Sequence, residues 1–168
     1  MNIFYLHKDP KTCAEMHIDK HCTKMIIEYA QLMSTAHRML DGLEYEGRSK
    51  NNRKIKRYLA IDIVKEQTLY KACHNNHPSA VWTRASAKNY KWLYEMWSHL
   101  CDEFTYRYGK IHLTDSKLRK MLKEVPTNIP FNEFTEPTQA MPDDVKVIGD
   151  SITAYRQYYI KHKKGFAT

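Results

Sequence analysis

The sequence predicts a mainly helical chain: an all-α single domain spanning residues 1–168, with a short N-terminal strand or arm. Three observations carry that expectation. The 168 residues include only five glycines and six prolines, gathered in a few places, which favours long helices over a turn-rich sheet. Two long stretches, 10–40 and 78–108, repeat apolar side chains at helical spacing. Hydrophobic residues make up 42% and aromatics 12%, which suits a chain that buries a real core.

Residues 2–6, NIFYL, read as one short buried strand or extended arm, because four of the five are apolar or aromatic. Asp9 followed by Pro10 is a helix start, with a carboxylate at the N-cap and proline where no N–H is needed. The first helix is expected over 10–40, closed by Asp41-Gly42. Residues 42–52 read as a charged loop. Arg48, Lys50, Arg53, Lys54, Lys56 and Arg57 form the densest basic run in the chain, as fit for a solvated surface as for a phosphate-contacting arm. A second helix is expected over 55–72, with Leu59, Ile63, Leu69 and Ala72 among its apolar positions.

Pro78 opens a third helix, with His77 or Asn76 near its cap. Trp82, Ala85, Leu93, Met96, Trp97, Leu100 and Phe104 share its core face. Asn89 falls on that same face, where its amide must find a structural partner or serve a site. A short helix is expected over 116–124 and an irregular, proline-bearing wrap over 125–142. The final helix is expected over 144–163, with Ile148, Ile152, Tyr155 and Tyr159 on one stripe.

The candidate site lies in the first helix. At about 100° per residue, His17, Lys20, His21, Lys24, Glu28, Gln31, Thr35 and Arg38 fall in one stripe roughly 100° wide. Apolar positions border it on both sides. Such a stripe either lines a cleft or forms a solvated ridge on a helix packed by its flanks. Its ingredients offer proton transfer by His17 and His21, phosphate binding by Lys20 and Lys24, and a carboxylate at Glu28. The turn His74, Asn75, Asn76, His77 precedes a helix N-terminus, which suits an anion or a plain turn equally. Arg84 lies on the polar face of the helix that follows.

Other chemistries find less support. The four cysteines (Cys13, Cys22, Cys73 and Cys101) sit at irregular spacing without a CxxC pair, so free thiols in a reducing cytoplasm are expected. The sequence contains no Walker loop, GxGxxG, GxSxG or HExxH. His17 and His21 with Cys13 or Glu28 could begin a zinc site, but no second ligand pair accompanies them. No cofactor and no metal is therefore expected. No apolar run approaches the roughly 20 residues of a bilayer span and no signal peptide is evident, so no membrane partner is expected. The formal net charge of +8 points to a polyanion, most economically nucleic acid or a nucleotide.

The pattern NIFYLHKDPKTCAEMHIDKHCTKMIIEYAQLMSTAHR, with NHPSAVWTRASAKNYKWLYE, EFTYRYGKIH and AYRQYYIKHKKGF, resembles a family of small uncharacterised proteins of tailed bacteriophages. That resemblance covers most of the chain outside residues 45–60 and implies a protein of the infected host's cytoplasm. More distantly, the layout resembles the phage-type pyrimidine-dimer DNA glycosylases. These are small, basic, mostly helical proteins with an N-terminal arm, a long first helix bearing a catalytic Glu, and a motif close to NHP. The resemblance implies Glu28 as the carboxylate and His77-Pro78 as the second motif. Those glycosylases attack the sugar with an N-terminal amine freed by removal of Met1. Asn2 is too bulky for that removal here, which leaves hydrolytic cleavage, or binding without chemistry.

The expectation is thus a DNA glycosylase-like hydrolase with Glu28, His21 and His17 as catalytic groups. Lys20, Lys24, Gln31, Arg38, His74, Asn76, His77, Arg84 and Asn89 would bind substrate or phosphate. The alternatives are a phage protein that sequesters a nucleotide or nucleic acid, and a structural or host-interaction protein.

Overall fold

The computed structural model describes residues 1–166. Its elements are α1 (Pro10–Glu15), α2 (Asp19–Asp41), β1 (Leu43–Arg48), β2 (Lys54–Leu59), α3 (Ile63–Thr68), α4 (Pro78–Ala85), α5 (Ala87–Tyr108), α6 (Leu113–Leu122) and α7 (Ser151–Tyr158). The last helix continues as a π turn over Tyr159–Lys163. The fold is mainly helical, but β1 and β2 form an antiparallel hairpin, so the all-α expectation needs correcting.

The core forms where α2 crosses α5, with Met25, Ile26, Tyr29 and Met33 of α2 buried with Leu93, Met96, Trp97 and Leu100 of α5. Asp9 caps α1 by accepting from Thr12 N–H, and His77 caps α4 by accepting from Ser79 N–H. Gly109, at φ 66°, closes α5 in the left-handed region that favours glycine.

Two helices expected to be continuous are broken. Residues 16–18 interrupt the first, and Arg107 of α5 stabilises that break. Its guanidinium donates to the carbonyls of Glu15 and His17 at 3.0 and 2.8 Å and pairs with Asp19 and Glu103. Ser86 interrupts the second. Its hydroxyl accepts from Lys88 N–H as the cap of α5 and donates to Asn132 O at 2.6 Å. Ser and Asn at such joints compete with the helical backbone for hydrogen bonds.

Residues 43–59 depart furthest from expectation, because a ribbon replaces a loop and the first turn of a helix. Leu43 pairs with Leu59, Tyr45 with Arg57 and Arg48 with Lys54. Helix α3 is short, and the chain from Leu69 to His77 runs non-helically beside α2. The short helix and the final helix also differ in extent, as α6 starts at Leu113 and α7 at Ser151.

The wrap over 125–142 is irregular and packs on the α4–α5 joint. Ala87 N–H donates to Pro130 O, Trp82 Nε1–H to Thr135 O, and the Asp41 carboxylate accepts from Thr127 and Asn128 N–H. The N-terminal arm is extended, joins no sheet, and buries Ile3 through Leu6. No helix among the described residues is long and apolar enough to cross a membrane.

Candidate functional site

The polar stripe of α2 divides into three environments. At its N-terminal end the two histidines are sealed. His17 lies in the break before α2 and is 2% exposed. Burial pulls its ring down to about 3, so it is neutral. Its Nδ1–H donates to Cys13 O at 2.9 Å and its Nε2 accepts from the Tyr29 hydroxyl at 2.7 Å. The same hydroxyl accepts from Phe4 N–H, and the Cys13 thiol donates to Phe4 O. These four residues close a buried ring of hydrogen bonds that locks the arm in place. His21 stacks on Phe4 with centroids 4.2 Å apart and meets the Tyr159 hydroxyl at 2.8 Å. Burial, with help from Lys163 and Lys24, pulls its ring down to about 4.

Both histidines expected to be catalytic are thus committed within the fold: the His17 ring nitrogens to Cys13 and Tyr29, and His21 to Phe4 of the arm and to Tyr159 just beyond α7.

At the C-terminal end Arg38 is 2% exposed. Its guanidinium donates to the carbonyls of Tyr58, Glu66, Leu69 and Tyr70 and pairs with the Glu66 carboxylate. It gathers β2, α3 and the following strand-like segment onto α2 and has no donors left for phosphate. Thr35, wholly buried, exchanges hydrogen bonds with the backbone of Cys73. Asn89 is likewise structural, because its amide donates to Trp82 O and accepts from Thr135 N–H, fastening the wrap.

Between these ends lies a half-open recess. The Glu28 side chain is 18% exposed, and its carboxylate sits 3.7 Å from the Met1 α-ammonium and 3.3 Å from Lys24 Nζ. His77 lies within its electrostatic reach across the α2–α4 contact. Burial, the Met1 amine and His74 lower the His77 ring below the usual imidazole range, outweighing an upward pull from Glu28. Because His77 Nδ1 accepts from Ser79 N–H at 3.1 Å, the neutral ring carries its proton on Nε2. The recess thus pairs a carboxylate with an imidazole N–H donor.

The wall opposite α2 is strained and holds polar atoms without partners among the described residues. His74, a non-glycine residue, holds φ 49°, the left-handed region that costs a side chain energy. The buried Asn75 Oδ1 has no hydrogen-bond partner among the described residues. Arg84 sits two helical turns along the same face as His77, about 10 Å away. Its Nη1 is buried without a partner, and burial lowers its guanidinium from the usual range. A buried, unpartnered guanidinium nitrogen is what an anionic oxygen would satisfy.

Gln31 is half-buried one turn beyond Glu28 on α2, and Asn76 is exposed in the turn. Lys20 and Lys24 are exposed and line an open apolar depression of about 500 Å³ with Ile27 and Tyr108. A larger depression, about 1040 Å³, lies elsewhere between α5 and α6, floored by Arg119 paired to Asp102 and Asp115.

Two further groups lie near Glu28. One is the Met1 amine, whose place depends on the arm's long-range lock. The other is Cys73, whose thiol burial and Glu28 push above the usual range, leaving it protonated and a poor nucleophile. No group of three or more His, Cys, Asp or Glu side chains among the described residues is placed to hold a metal ion. In comparisons with known proteins, no family model, no curated protein and no solved structure matches this chain.

Proposed function

We propose that this chain acts on nucleic acid or a nucleotide in the cytoplasm of a phage-infected host, as a DNA glycosylase-like hydrolase that cleaves an N-glycosidic bond. The observation that carries this reading is the Glu28 carboxylate, held half-buried between two cations and within electrostatic reach of the His77 imidazole. Glu28 activates water or steadies the oxocarbenium-like sugar, and His77 Nε2–H donates to the departing base or a sugar oxygen. Arg84, Lys24 and Lys20 hold phosphate. The more distant resemblance to pyrimidine-dimer glycosylases supports the same assignment of Glu28 and His77-Pro78.

The test is turnover. The protein is incubated with damaged duplex DNA, modified DNA and free nucleotides, and released base is measured by mass spectrometry. The expected result is base release by the parent and none by Glu28→Gln, with substrate binding retained. Borohydride trapping of a protein–DNA adduct would replace water by the Met1 amine as the attacking group. Saturable binding with no product from any substrate would overturn the hydrolase and leave a sequestering protein.

A further inference from the structure

The β1–β2 ribbon is not used by the recess, and its charges are unevenly distributed. On one face of the stem each lysine is neutralised across the strands: Lys54 pairs with Glu46 at 3.2 Å and Lys56 with Glu44 at 3.0 Å. The tip is the reverse. Residues 48–53, RSKNNR, hold three cations and no carboxylate, and Arg48, Lys50 and Arg53 are all exposed. None of the three forms an ion pair among the described residues.

The tip is also pre-shaped. Asn52 takes the left-handed conformation, Ser49 Oγ accepts from Arg53 N–H, and Arg48 Nη1 donates to Asn52 O. Order in the tip lowers the entropy lost when its side chains are fixed by a ligand.

The ribbon's position adds a length scale. It leaves the C-terminal end of α2, about 20 Å along the helix from Glu28, and outside itself packs mainly on that helix end. Six residues per strand carry the tip roughly 20 Å further out. At its root Tyr58 acts electrostatically on Arg84, so the stem begins where the recess ends. A mononucleotide in the recess is too small to reach the tip. A polynucleotide, advancing about 3.4 Å per step with a charge at each, spans that interval within about a dozen nucleotides. The two-stranded ribbon also has a width that a duplex major groove admits.

We infer that the β1–β2 ribbon is a nucleic-acid arm, whose tip residues Arg48, Lys50 and Arg53 grip the phosphates of a duplex within about a dozen nucleotides of the one at Glu28. The assignment of a polymer as the substrate rests on the glycosidic reading of the recess, while the ribbon's own affinity does not. The paired stem keeps the ribbon upright and its strand edges charged, which guards against edge-to-edge pairing.

The test is fluorescence anisotropy of the full chain with a labelled DNA duplex of about 20 base pairs, between about 50 and 200 mM salt. Reversing the tip charges (R48E/K50E/R53E) is expected to weaken binding by on the order of 100-fold at low salt and to cut the logarithmic salt slope by about three. K50E/R53E, which spares the Arg48 bond within the turn, is expected to cut the slope by about two. K91E/K120E/K123E makes the same change of net charge on α5 and at the C-terminal end of α6, and should lower the slope little. Equal losses from the tip and control variants would reduce the ribbon to a contributor of general charge and overturn the proposal. So would parent affinity for poly-glutamate matching that for the duplex. Base release is read separately: product formed with duplex affinity untouched by the tip variants refutes the ribbon alone. Tip-dependent duplex binding without product refutes the hydrolase alone.

Discussion

One helix face contains two kinds of polar residue, and the contrast between them explains how this molecule is built. Arg38 and Glu28 lie on the same stripe of α2, and both are charged. Arg38 is enclosed by four backbone carbonyls and a carboxylate, all from segments that follow it in the chain. Glu28 meets only cations at 3.3 and 3.7 Å and keeps part of its carboxylate towards solvent. Arg38 is a fastener, whereas Glu28 is paired at its surface and still reached by solvent. A polar stripe therefore marks the side of a helix that has polar company, and the length and reach of that company decide which positions are left open.

The largest expected effect follows from breaking the fastener. Arg38→Ala strands the Glu66 carboxylate and four carbonyls, and should cost about 3–5 kcal/mol, measured by urea unfolding. A loss comparable to an exposed ion pair would remove the distinction between the two residues.

Acid should act on the sealed end next. The rings of His17 and His21 are pulled by burial to about 3 and 4, against 6.5 when exposed. The unfolded chain therefore takes up protons below 6.5 that the folded chain refuses. Stability is complete above about pH 6.5 and falls as the pH drops towards 4, by up to about 1.4 kcal/mol per pH unit for each ring. Thermal melts across that range check it, and His17→Gln should make the decline shallower.

Tyr29→Phe removes one atom from the arm's lock and leaves Phe4 N–H and His17 Nε2 without partners. The expected cost is about 1–3 kcal/mol, with protection of the Phe4 amide lost in hydrogen exchange. Smallest of all, Lys24→Gln should change stability by only about 0.3–0.5 kcal/mol, because its 3.3 Å partner is met from an exposed position. Its effect should appear in substrate affinity instead.

Local signals in the sequence were read well where they act locally. Asp9-Pro10, His77-Pro78 and Asp41-Gly42 place helix ends because caps and stops depend on neighbouring residues alone. The breaks at 16–18 and at Ser86 were not read, since Arg107 and Asn132, distant in sequence, hold them open. The ribbon was missed although Leu43, Tyr45, Ile55 and Leu59 alternate at strand spacing about an Asn-Asn turn. Its charged residues, good helix formers, masked that period. Glu28 could be singled out because a carboxylate is chemically distinct among lysines and histidines. The fates of His17, His21 and Arg38 could not, because burial there is set by Tyr29, Tyr159 and Glu66 arriving from elsewhere in the chain.

The arm carries a consequence for folding. Phe4 packs against Tyr155, Tyr158 and Tyr159, and Leu6 O accepts from Arg156 Nε at 2.9 Å. The arm thus finds its neighbours about 150 residues away in sequence. Until that contact has closed, nothing fixes the Met1 amine beside Glu28, so the surroundings of Glu28 depend on one of the most non-local contacts in the fold, a kind that is slow to form.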